Sequence, residues 1–529
     1  MATVSFANMD QAFDITNNSI VAFSGFSGAL SGFEYSYVTT GAHDWEFDGA
    51  GITTSGNLPT GGTVNKIQVD LNDDAQILPE IVISGLGGTA ATSFGIGVGT
   101  ADQQRDKFWI AALSGADTID FTMANYAANI KFAADGANLD DGLHHVGAND
   151  TLAGGASALT GVSFVVGDYY EIYSGSAAGG DDLITVGAFS IYGDFVRPVA
   201  GMSAAGGDDV ITPNFLADAP VISIVIGGDA GVNDIPLTGG GDLIDLRATD
   251  VSALSLGIVI YGDTGVVNPG GTLAGGDDTV HGSSKAEMIF GDYELRSGAA
   301  TGGDDSLLGY GGADTIKGNE GRDYLAGGDD ADLLDGGAGV DSLYGGNAND
   351  SLLGDAQSDV ISGQGGDDTI EGGTGDDVAN GGTQKDRAFG GSGADSMSGG
   401  GGNDTLQGGN DNDTLLGGPA FDVFEGGDGN DSIDGGDGND YVYSNAGNDT
   451  IVFALGGDTD TVRDFSAGAA VGDVIRLVGF GAAFDTLAEI LAAATDNGLH
   501  TTIDFGGGDI LILRNVVESQ LAANDFQFG

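Results

Sequence analysis

The sequence predicts an all-β protein in four parts: an N-terminal β-rich domain (1–114), an irregular stretched β-solenoid (115–301), a regular parallel β-roll (302–458) and a small β-rich cap containing a helix (459–529). Three observations predict this fold. A nine-residue repeat runs through 302–458. Glycine, the residue of tight turns, accounts for 99 of the 529 residues. Elsewhere, short aliphatic segments alternate with glycine-rich turns, which is typical of strands.

The regular part repeats the pattern Gly-Gly-x-Gly-x-Asp-x-aliphatic-x in one unbroken register. Sixteen steps of nine residues separate Asp305 from Asp449, and an aspartate stands at every step. An apolar residue follows two positions after each aspartate, from Leu307 to Ile451. A disordered glycine-rich segment would not keep an apolar residue in register, so the pattern predicts a folded structure.

Each position of the repeat has a physical role. Glycines at the first, second and fourth places are expected to adopt positive φ and to let neighbouring turns approach closely. The apolar residue, flanked by polar ones, predicts a three-residue strand with one inward side chain. Two frames then close one coil, and the coils stack as a parallel β-roll. Ala379 and Ala388 are consecutive inward positions, which predicts a narrow part of the core.

Stacked coils align the aspartates into two columns beside the backbone carbonyls of the next glycine-rich turn. Closely spaced, flexible oxygen ligands are what Ca²⁺ prefers. We therefore expect several calcium ions. The predicted ligands are Asp182, Asp209, Asp242, Asp278, Asp305, Asp314, Asp323, Asp332, Asp341, Asp350, Asp359, Asp368, Asp377, Asp395, Asp404, Asp413, Asp431, Asp440 and Asp449. Without the cation the carboxylates repel one another, so calcium binding and folding are expected to be one event.

Some turns depart from the pattern. Three frames replace the fourth-place glycine with a residue for which positive φ is costly: Gln357, Gln384 and Ala420. In addition, Lys385 places a cation beside Asp386, and Pro419 stiffens the turn before Asp422. We expect weaker or missing ions at these turns, and Asp386 and Asp422 are not among the predicted ligands.

The repeat resembles that of RTX proteins, whose glycine- and aspartate-rich nonapeptides form a calcium-binding β-roll. The resemblance implies a roll that fills with calcium and folds only after secretion. Residues 459–529 resemble the C-terminal region of serralysin-type RTX proteins: they contain a Thr-Val-Arg-Asp-Phe segment at 461–465, a helix begun by a capping box of Thr486 and Glu489, and a terminal Asp-Phe tail. This likeness implies an uncleaved C-terminal signal for the type I secretion machinery. The same residues are expected to cap the exposed strand edges of the solenoid.

Charge and composition limit the partners. The chain carries 79 acidic and 15 basic residues, and its formal net charge of −64 excludes nucleic acid as a partner. It has no cysteine, so calcium is expected to take the stabilising role of disulfides. The first residues lack the basic and apolar regions of a cleaved signal peptide, and no apolar run approaches the length of a transmembrane segment. We therefore expect a secreted protein without a cleaved N-terminal signal peptide.

Residues 115–301 repeat the glycine-aspartate phrases at longer intervals. Asp182 and Asp209 are 27 residues apart, as are Asp278 and Asp305, and Asp242 precedes Asp278 by 36 residues. A second phrase, in which Gly-Asp follows aliphatic or aromatic residues, lies between them. Because the intervals are multiples of nine, the pattern predicts the same solenoid with a wider coil and weaker calcium sites. Loops extruded from one side would be the binding face, as in other repeat proteins.

The sequence lacks the motifs of two common enzyme classes with this architecture. None of the five histidines belongs to the HExxH of a metalloprotease, and no serine has the G-x-S-x-G setting of a lipase. We assign no catalytic residue. Two function classes remain: a structural component of the cell exterior (surface layer, filament, matrix or adhesion), and a polysaccharide-acting enzyme or carbohydrate-binding module in residues 1–300. We favour the structural protein, whose partners would be itself or a cell-surface polysaccharide.

Overall fold

The protein is described by a computed structural model. It covers side chains and backbone for residues 208–211, 241–247, 258–263, 275–292 and 301–529 except 457 and 469–471, and the backbone of the other strands named below. The chain divides into two compact units, Met1–Leu307 and Leu308–Gly529. Regular structure in the described part is nearly all β, with a parallel β-solenoid of about nine turns at 306–462 and one α-helix near the C terminus. This confirms the predicted fold class, while the predicted domain boundaries stay predictions. Among the described residues, no helix is long and apolar enough to cross a membrane.

The first unit begins with antiparallel strands. These are Leu30–Val38, Asp44–Ser55, Leu58–Asp70 and Glu80–Ser84, which pair in that order. Glu80–Ser84 then pairs antiparallel with Thr118–Thr122, and from that strand onward the same sheet continues by parallel pairing. A second antiparallel pair, Gly95–Val98 with Lys107–Ala112, leads in the same way into a parallel sheet.

The stretched region forms three parallel sheets rather than two, which is how its predicted wider coil is built. The first sheet contains Thr118–Thr122, Thr151–Gly154, Leu183–Ile184, Val210–Ile211, Leu243–Asp245 and Thr279–His281. The second contains Lys107–Ala112, Asn129–Leu139, Val162–Ile172, Ser190–Tyr192, Phe195–Pro198, Ile224–Asn233, Ile258–Val267 and Glu287–Phe290. The third contains His144–Val146, Ser176–Ala178, Ser203–Ala205, Leu237–Thr238, Thr272–Ala274 and Ala299–Thr301. The predicted extruded loops lie outside the described residues.

The second unit alternates six-residue strands between two parallel sheets, and each strand pairs with the strand 18 residues further on. Strand Ser306–Gly311 spans the border between the two units. Sheet 1 contains Tyr324–Asp329, Ser342–Asn347, Val360–Gly365, Val378–Thr383, Ser396–Gly401, Thr414–Pro419, Ser432–Asp437 and Thr450–Ala454. Sheet 2 contains Thr315–Glu320, Leu333–Ala338, Ser351–Ala356, Thr369–Thr374, Arg387–Ser392, Thr405–Asn410, Val423–Asp428 and Tyr441–Ala446. We call these two sets of strands, with their turns, the roll.

The core of the roll is the space between its two sheets. In every strand the apolar residue two positions after the aspartate is at most 3% exposed, including the small Ala379 and Ala388. The fourth strand residue, usually glycine, is buried as well. The strands are therefore six residues long, and the predicted length of three residues was wrong. The prediction was short because glycine has no side chain to reveal that its position faces inward.

The last residues, 459–529, which we call the cap, extend both sheets of the roll. Thr459–Val462 and Asp509–Arg514 continue sheet 2, followed by the antiparallel strands His500–Gly506 and Ala494–Asp496. Val474–Val478 and Phe526–Phe528 continue sheet 1. The helix Leu487–Ala493 begins at the predicted capping box of Thr486 and Glu489, and short 3₁₀ turns lie at Gly481–Ala483, Glu518–Gln520 and Ala523–Asp525.

An aromatic cluster fills the junction of the roll and the cap. Phe453, from the last roll strand of sheet 1, stacks on Phe480 with ring centroids 5.7 Å apart. The ring centroid of Phe505 lies 4.7 Å from that of Phe480 and 4.9 Å from that of Phe484. Phe453 is buried and the other three rings are half-buried, and with buried aliphatic residues such as Ile503 they form an apolar cluster of the ordinary kind.

Candidate metal centre

The glycines of each turn divide two tasks between them. The second-place Gly391 and the fourth-place Gly393 have φ of 113° and 127°, which only glycine adopts readily. The first-place Gly390 has no such φ, but a Cβ there would lie 2.3 Å from Oδ2 of Asp395 and 2.6 Å from the carbonyl oxygen of Gly408. The prediction of positive φ at all three places was therefore wrong for the first, where glycine is required for space.

The turns that lack a fourth-place glycine keep the same backbone. Gln357, Gln384 and Ala420 have φ of 78°, 82° and 96°. Three further fourth-place residues other than glycine, which were not predicted, also have positive φ: Asp330, Ala348 and Asp411. Neighbouring coils thus hold these turns in the left-handed region at a conformational cost. Weaker ion binding at these turns stays a prediction.

The aspartates of the roll lie in two columns, one along each edge. The first column is Asp314, Asp332, Asp350, Asp368, Asp386, Asp404, Asp422 and Asp440, and the second is Asp323, Asp341, Asp359, Asp377, Asp395, Asp413, Asp431 and Asp449. In both, Oδ1 accepts the backbone N–H of the aspartate one coil earlier, at 2.7–2.9 Å. Asp386 and Asp422 make this bond like the others. The periodicity therefore brings together all predicted ligands of the second unit.

The second carboxylate oxygen, Oδ2, is what makes the columns candidate metal sites. It is buried without a hydrogen-bond partner in thirteen of these residues: Asp332, Asp350, Asp359, Asp368, Asp377, Asp386, Asp395, Asp404, Asp413, Asp422, Asp431, Asp440 and Asp449. It also points toward the first-place glycine, where a carbonyl oxygen of the next coil converges. At Gly363, for example, Asp368 Oδ2 and the Gly381 carbonyl oxygen lie 2.3 and 2.6 Å from the position that a Cβ atom would take.

This donor set fits a hard cation. A buried anionic oxygen without a donor is costly, and a cation removes that cost. In the described part of the chain, no three His, Cys, Asp or Glu side chains gather around one point. A cation in the columns would therefore take backbone carbonyl oxygens besides its carboxylates, and Ca²⁺ accepts such mixed oxygen ligands.

Burial also changes the acidity of the columns. Burial raises the pKa of Asp350, Asp359 and Asp413 to about 7. The backbone N–H that each carboxylate accepts lowers the pKa, but by less than burial raises it. The neighbouring carboxylates of the same column raise it further. Metal-free columns thus hold protons near neutral pH, and protons compete with a bound cation.

A ladder of asparagines runs along the outer side of the second column in the opposite sense. Asn412 Oδ1 accepts the backbone N–H of Asn430 at 2.7 Å, and Asn430 Oδ1 accepts that of Asn448 at 2.9 Å. In the aspartate columns the later coil accepts, whereas here the earlier coil accepts. The aspartate and asparagine hydrogen bonds, which run in opposite directions along the chain, together fix the spacing of successive coils.

The first unit contains its own aspartate column. Asp209, Asp242 and Asp278 donate their backbone N–H to Oδ1 of Asp242, Asp278 and Asp305, at 2.7, 2.7 and 2.8 Å. Four of the five predicted ligands before the roll are thus brought together, whereas Asp182 lies outside the described residues. No role was predicted for Asp263, which is buried and accepts the Gly276 N–H at 2.8 Å. Burial of Asp278 raises the pKa of that carboxyl, and the nearby Asp263 carboxylate raises it further.

The columns of the roll end on two aspartates of the cap, neither of which was predicted. Asp460 Oδ1 accepts the Asp440 N–H at 2.9 Å, and Asp473 Oδ1 accepts the Asp449 N–H at 3.1 Å. They lie 20 and 24 residues after their partners, so the nine-residue register does not reveal them. The cap therefore supplies the final coil's carboxylates.

Comparison with known families agrees with this geometry. Eight overlapping segments match the family model of the RTX calcium-binding nonapeptide repeat (four copies): residues 299–334, 326–361, 344–379, 353–388, 362–397, 380–415, 389–424 and 416–451. A search of curated proteins finds no match to the sequence. Residues 299–451 are RTX calcium-binding nonapeptide repeats, as the sequence pattern predicted.

Proposed function

Because residues 299–451 are RTX repeats, we propose that this chain is a secreted calcium-binding protein whose calcium-loaded roll is a structural element of the cell exterior, in a surface layer, filament, matrix or adhesion structure. Repeats of this kind indicate an extracellular calcium-binding protein. The observation that carries the proposal is the set of thirteen column aspartates named above whose Oδ2 is buried without a hydrogen bond. Such columns are stable only when a cation is present along their length.

The proposed ligands are the predicted aspartates of the roll, to which we add Asp386 and Asp422 because they make the same column hydrogen bonds. Each would contribute Oδ2, and carbonyl oxygens such as those of Gly381 and Gly408 would complete the shell. Bound calcium would supply positive charge that neutralises the columns. In the first unit, Asp209, Asp242, Asp278 and Asp305 are the corresponding proposed ligands.

Calcium-dependent folding would also serve export. The C-terminal residues 459–529 are proposed to carry the type I secretion signal, and that route requires an unfolded chain. Low calcium in the cytosol would keep the repelling carboxylates of the roll apart, and millimolar calcium outside would allow them to stack. Folding would thus follow secretion without a cleaved N-terminal signal.

A structural role is supported by the way in which the roll uses its residues. Buried positions along the described strands hold aspartate, glycine and apolar residues that stack one coil on the next. The repetition makes a uniform calcium-stiffened element, and its proposed partners are other copies of the chain or a cell-surface polysaccharide.

Calcium titration of the intact protein, from chelator to about 10 mM, tests the proposal, because extracellular calcium modules bind in the range of about 0.1–1 mM. Circular dichroism, light scattering and negative-stain microscopy would be recorded at each step. The proposal predicts β-structure and then ordered sheets or filaments as calcium rises. Folding into a soluble monomer that never assembles would contradict the structural role, and a β-spectrum in chelator would contradict calcium-dependent folding.

A further inference from the structure

The middle of sheet 1 presents an outward face without charged strand residues, in a protein that is otherwise densely acidic. Five consecutive strands contain no Asp, Glu, Lys or Arg: Ser342–Asn347, Val360–Gly365, Val378–Thr383, Ser396–Gly401 and Thr414–Pro419. We call their outward surface the neutral face. The five alternating strands of sheet 2, from Ser351–Ala356 to Val423–Asp428, carry five charged residues: Asp355, Glu371, Arg387, Glu425 and Asp428. The two sheets therefore differ in the character of their outer surfaces.

The neutral face exposes three aliphatic side chains. Val360, Val378 and Leu416 are 44%, 50% and 44% exposed. Serine, threonine, asparagine and glycine occupy most of the other outward positions, and Tyr344 lies at one end with its ring 5.3 Å from that of Tyr324. Exposed aliphatic side chains on the face of a sheet favour contact with another apolar surface.

We propose that the neutral face binds the same face of a second copy of this chain, an inference that rests on the proposed structural function and names its contact surface. With a formal net charge of −64, two copies repel one another over most orientations. Face-to-face contact of the neutral faces places no charged strand residue of one copy against one of the other. Sheets pack in this way at about 10 Å separation.

The face has the size and symmetry of a weak two-fold contact. Five strands about 4.8 Å apart and about 20 Å long present roughly 480 Å², so a dimer would bury about 1,000 Å², the lower limit for a specific interface. A two-fold axis parallel to the strands and through Val378–Thr383 places Val378 over its own copy. The same axis sets Tyr344 opposite Leu416, which pairs the large side chains of the two ends. A contact of this size becomes strong when it repeats within an assembly.

A polysaccharide is the competing occupant, and the face favours it less. Sugar rings stack on aromatic side chains, but the one aromatic residue in the strands of the neutral face, Tyr344, lies at its end beside Tyr324 of the next strand. Its centre is aliphatic and hydroxylated. Binding of a neutral polysaccharide therefore becomes an outcome that the experiment must detect.

Sedimentation velocity in 10 mM calcium tests the contact with the intact protein. Val378→Asp places a charge at the centre of the neutral face, whereas Gln407→Asp places the same charge on an exposed outward position of sheet 2. Val378→Asp is expected to weaken association at least about tenfold, since the new carboxylates would meet across the axis. Gln407→Asp should associate like the wild type, and circular dichroism confirms that each variant folds with calcium.

Single cysteines provide a second test, because the chain has none of its own. With a short bismaleimide and calcium, Val378→Cys should yield a cross-linked dimer, and Gln407→Cys should not. Assembly without a Val378→Cys cross-link, or with Val378→Asp unimpaired, overturns this inference and leaves the proposed function standing. A folded monomer whose binding to a neutral polysaccharide is lost in Val378→Asp overturns it in favour of the polysaccharide. Absence of any calcium-dependent folding removes the proposed function, and this inference with it.

Discussion

The roll and the cap both bury aspartates, but they satisfy the carboxylates in different ways. In the roll, Asp404 uses Oδ1 to accept one backbone N–H, and its Oδ2 is buried without a hydrogen bond. In the cap, Asp473 accepts the Asp449 N–H through Oδ1 and the Ser466 N–H through Oδ2. Asp525 likewise accepts the Gly468 and Ala522 N–H groups through its two oxygens. Both oxygens of these two cap carboxylates are thus hydrogen-bonded without a cation.

The difference teaches where calcium is needed. A roll coil contributes one inward apolar residue and one incomplete carboxylate per frame, so its stability depends on a cation. The cap has an aromatic and aliphatic core and internally hydrogen-bonded carboxylates. We therefore expect the roll to require calcium and the cap to retain structure without it.

The largest effect of a single substitution is expected at a first-place glycine. Gly390→Ala would place a Cβ 2.3 Å from Asp395 Oδ2 and 2.6 Å from the Gly408 carbonyl oxygen, in the space assigned to the cation. We expect a loss of at least about 2 kcal/mol in the free energy of unfolding with calcium present. Gly401→Ala is the matched control, because nothing lies within 4 Å of its Cβ position. Equal urea midpoints for the two variants would contradict the proposal that a cation occupies the space beside Gly390.

Asp404→Asn should have the next largest effect. It keeps the acceptor for the Asp386 N–H but replaces the anionic Oδ2 with an amide group, so we expect a loss of about 1–3 kcal/mol with calcium. The calcium concentration at the midpoint of folding, followed by circular dichroism, should rise. Asp428→Asn removes the same charge from an exposed strand position and should leave the midpoint within about twofold of the wild type. A shift of similar size in both variants would show that net charge, not the column, sets the midpoint.

A smaller, graded effect is expected from pH. Because burial raises the pKa of Asp350 and Asp413 to about 7, the folded metal-free roll binds more protons than the unfolded chain between about pH 4 and 7. In chelator, the folding equilibrium of the roll should therefore move toward the folded state as the pH falls from 8 to 5. With saturating calcium this pH dependence should disappear between pH 8 and 6, because the carboxylates are deprotonated both in the calcium-bound roll and in the unfolded chain. Circular dichroism in chelator measures the folded fraction at each pH, and equal folded fractions at pH 5 and pH 8 would contradict buried, titrating columns.

The smallest effect concerns backbone strain in the roll. Gln384 has φ of 82°, so Gln384→Gly should stabilise the calcium-loaded protein by up to about 1 kcal/mol. Gln407 lies in a strand and does not itself have a positive φ, so Gln407→Gly should destabilise the protein by about 0.5–1 kcal/mol. In thermal unfolding, the melting temperature should rise for Gln384→Gly and fall for Gln407→Gly. Destabilisation by Gln384→Gly would show that the glutamine side chain itself supports the turn.

Much of the roll could be predicted because its period is rigid. A fixed spacing of nine specifies which residues face inward, and Ile316, Leu406 and Ile451 are all buried as expected. It also specifies which aspartates stack, since carboxylates 18 residues apart meet in the same column. The roles of the individual glycines could not be separated in this way, because positive φ and close approach both favour the same residue.

The remaining features could not be predicted because they depend on partners at irregular distances. Asp460 and Asp473 complete columns whose register has already ended. The third sheet of the stretched region includes Ser176–Ala178 and Ser203–Ala205, whose small residues carry no apolar pattern. Neighbouring coils, rather than local sequence, place these residues in strands.

Hydrogen exchange of the intact protein, with calcium and then with chelator, tests the central claim most directly. Mass spectrometry of peptides would separate the strands of the roll, such as Thr369–Thr374 and Thr405–Asn410, from the cap strands His500–Gly506 and Asp509–Arg514. The account predicts that chelator abolishes protection in the roll while the cap strands continue to exchange slowly. Retained protection in the roll without calcium would contradict it, because the buried Oδ2 atoms would then be stable without a cation.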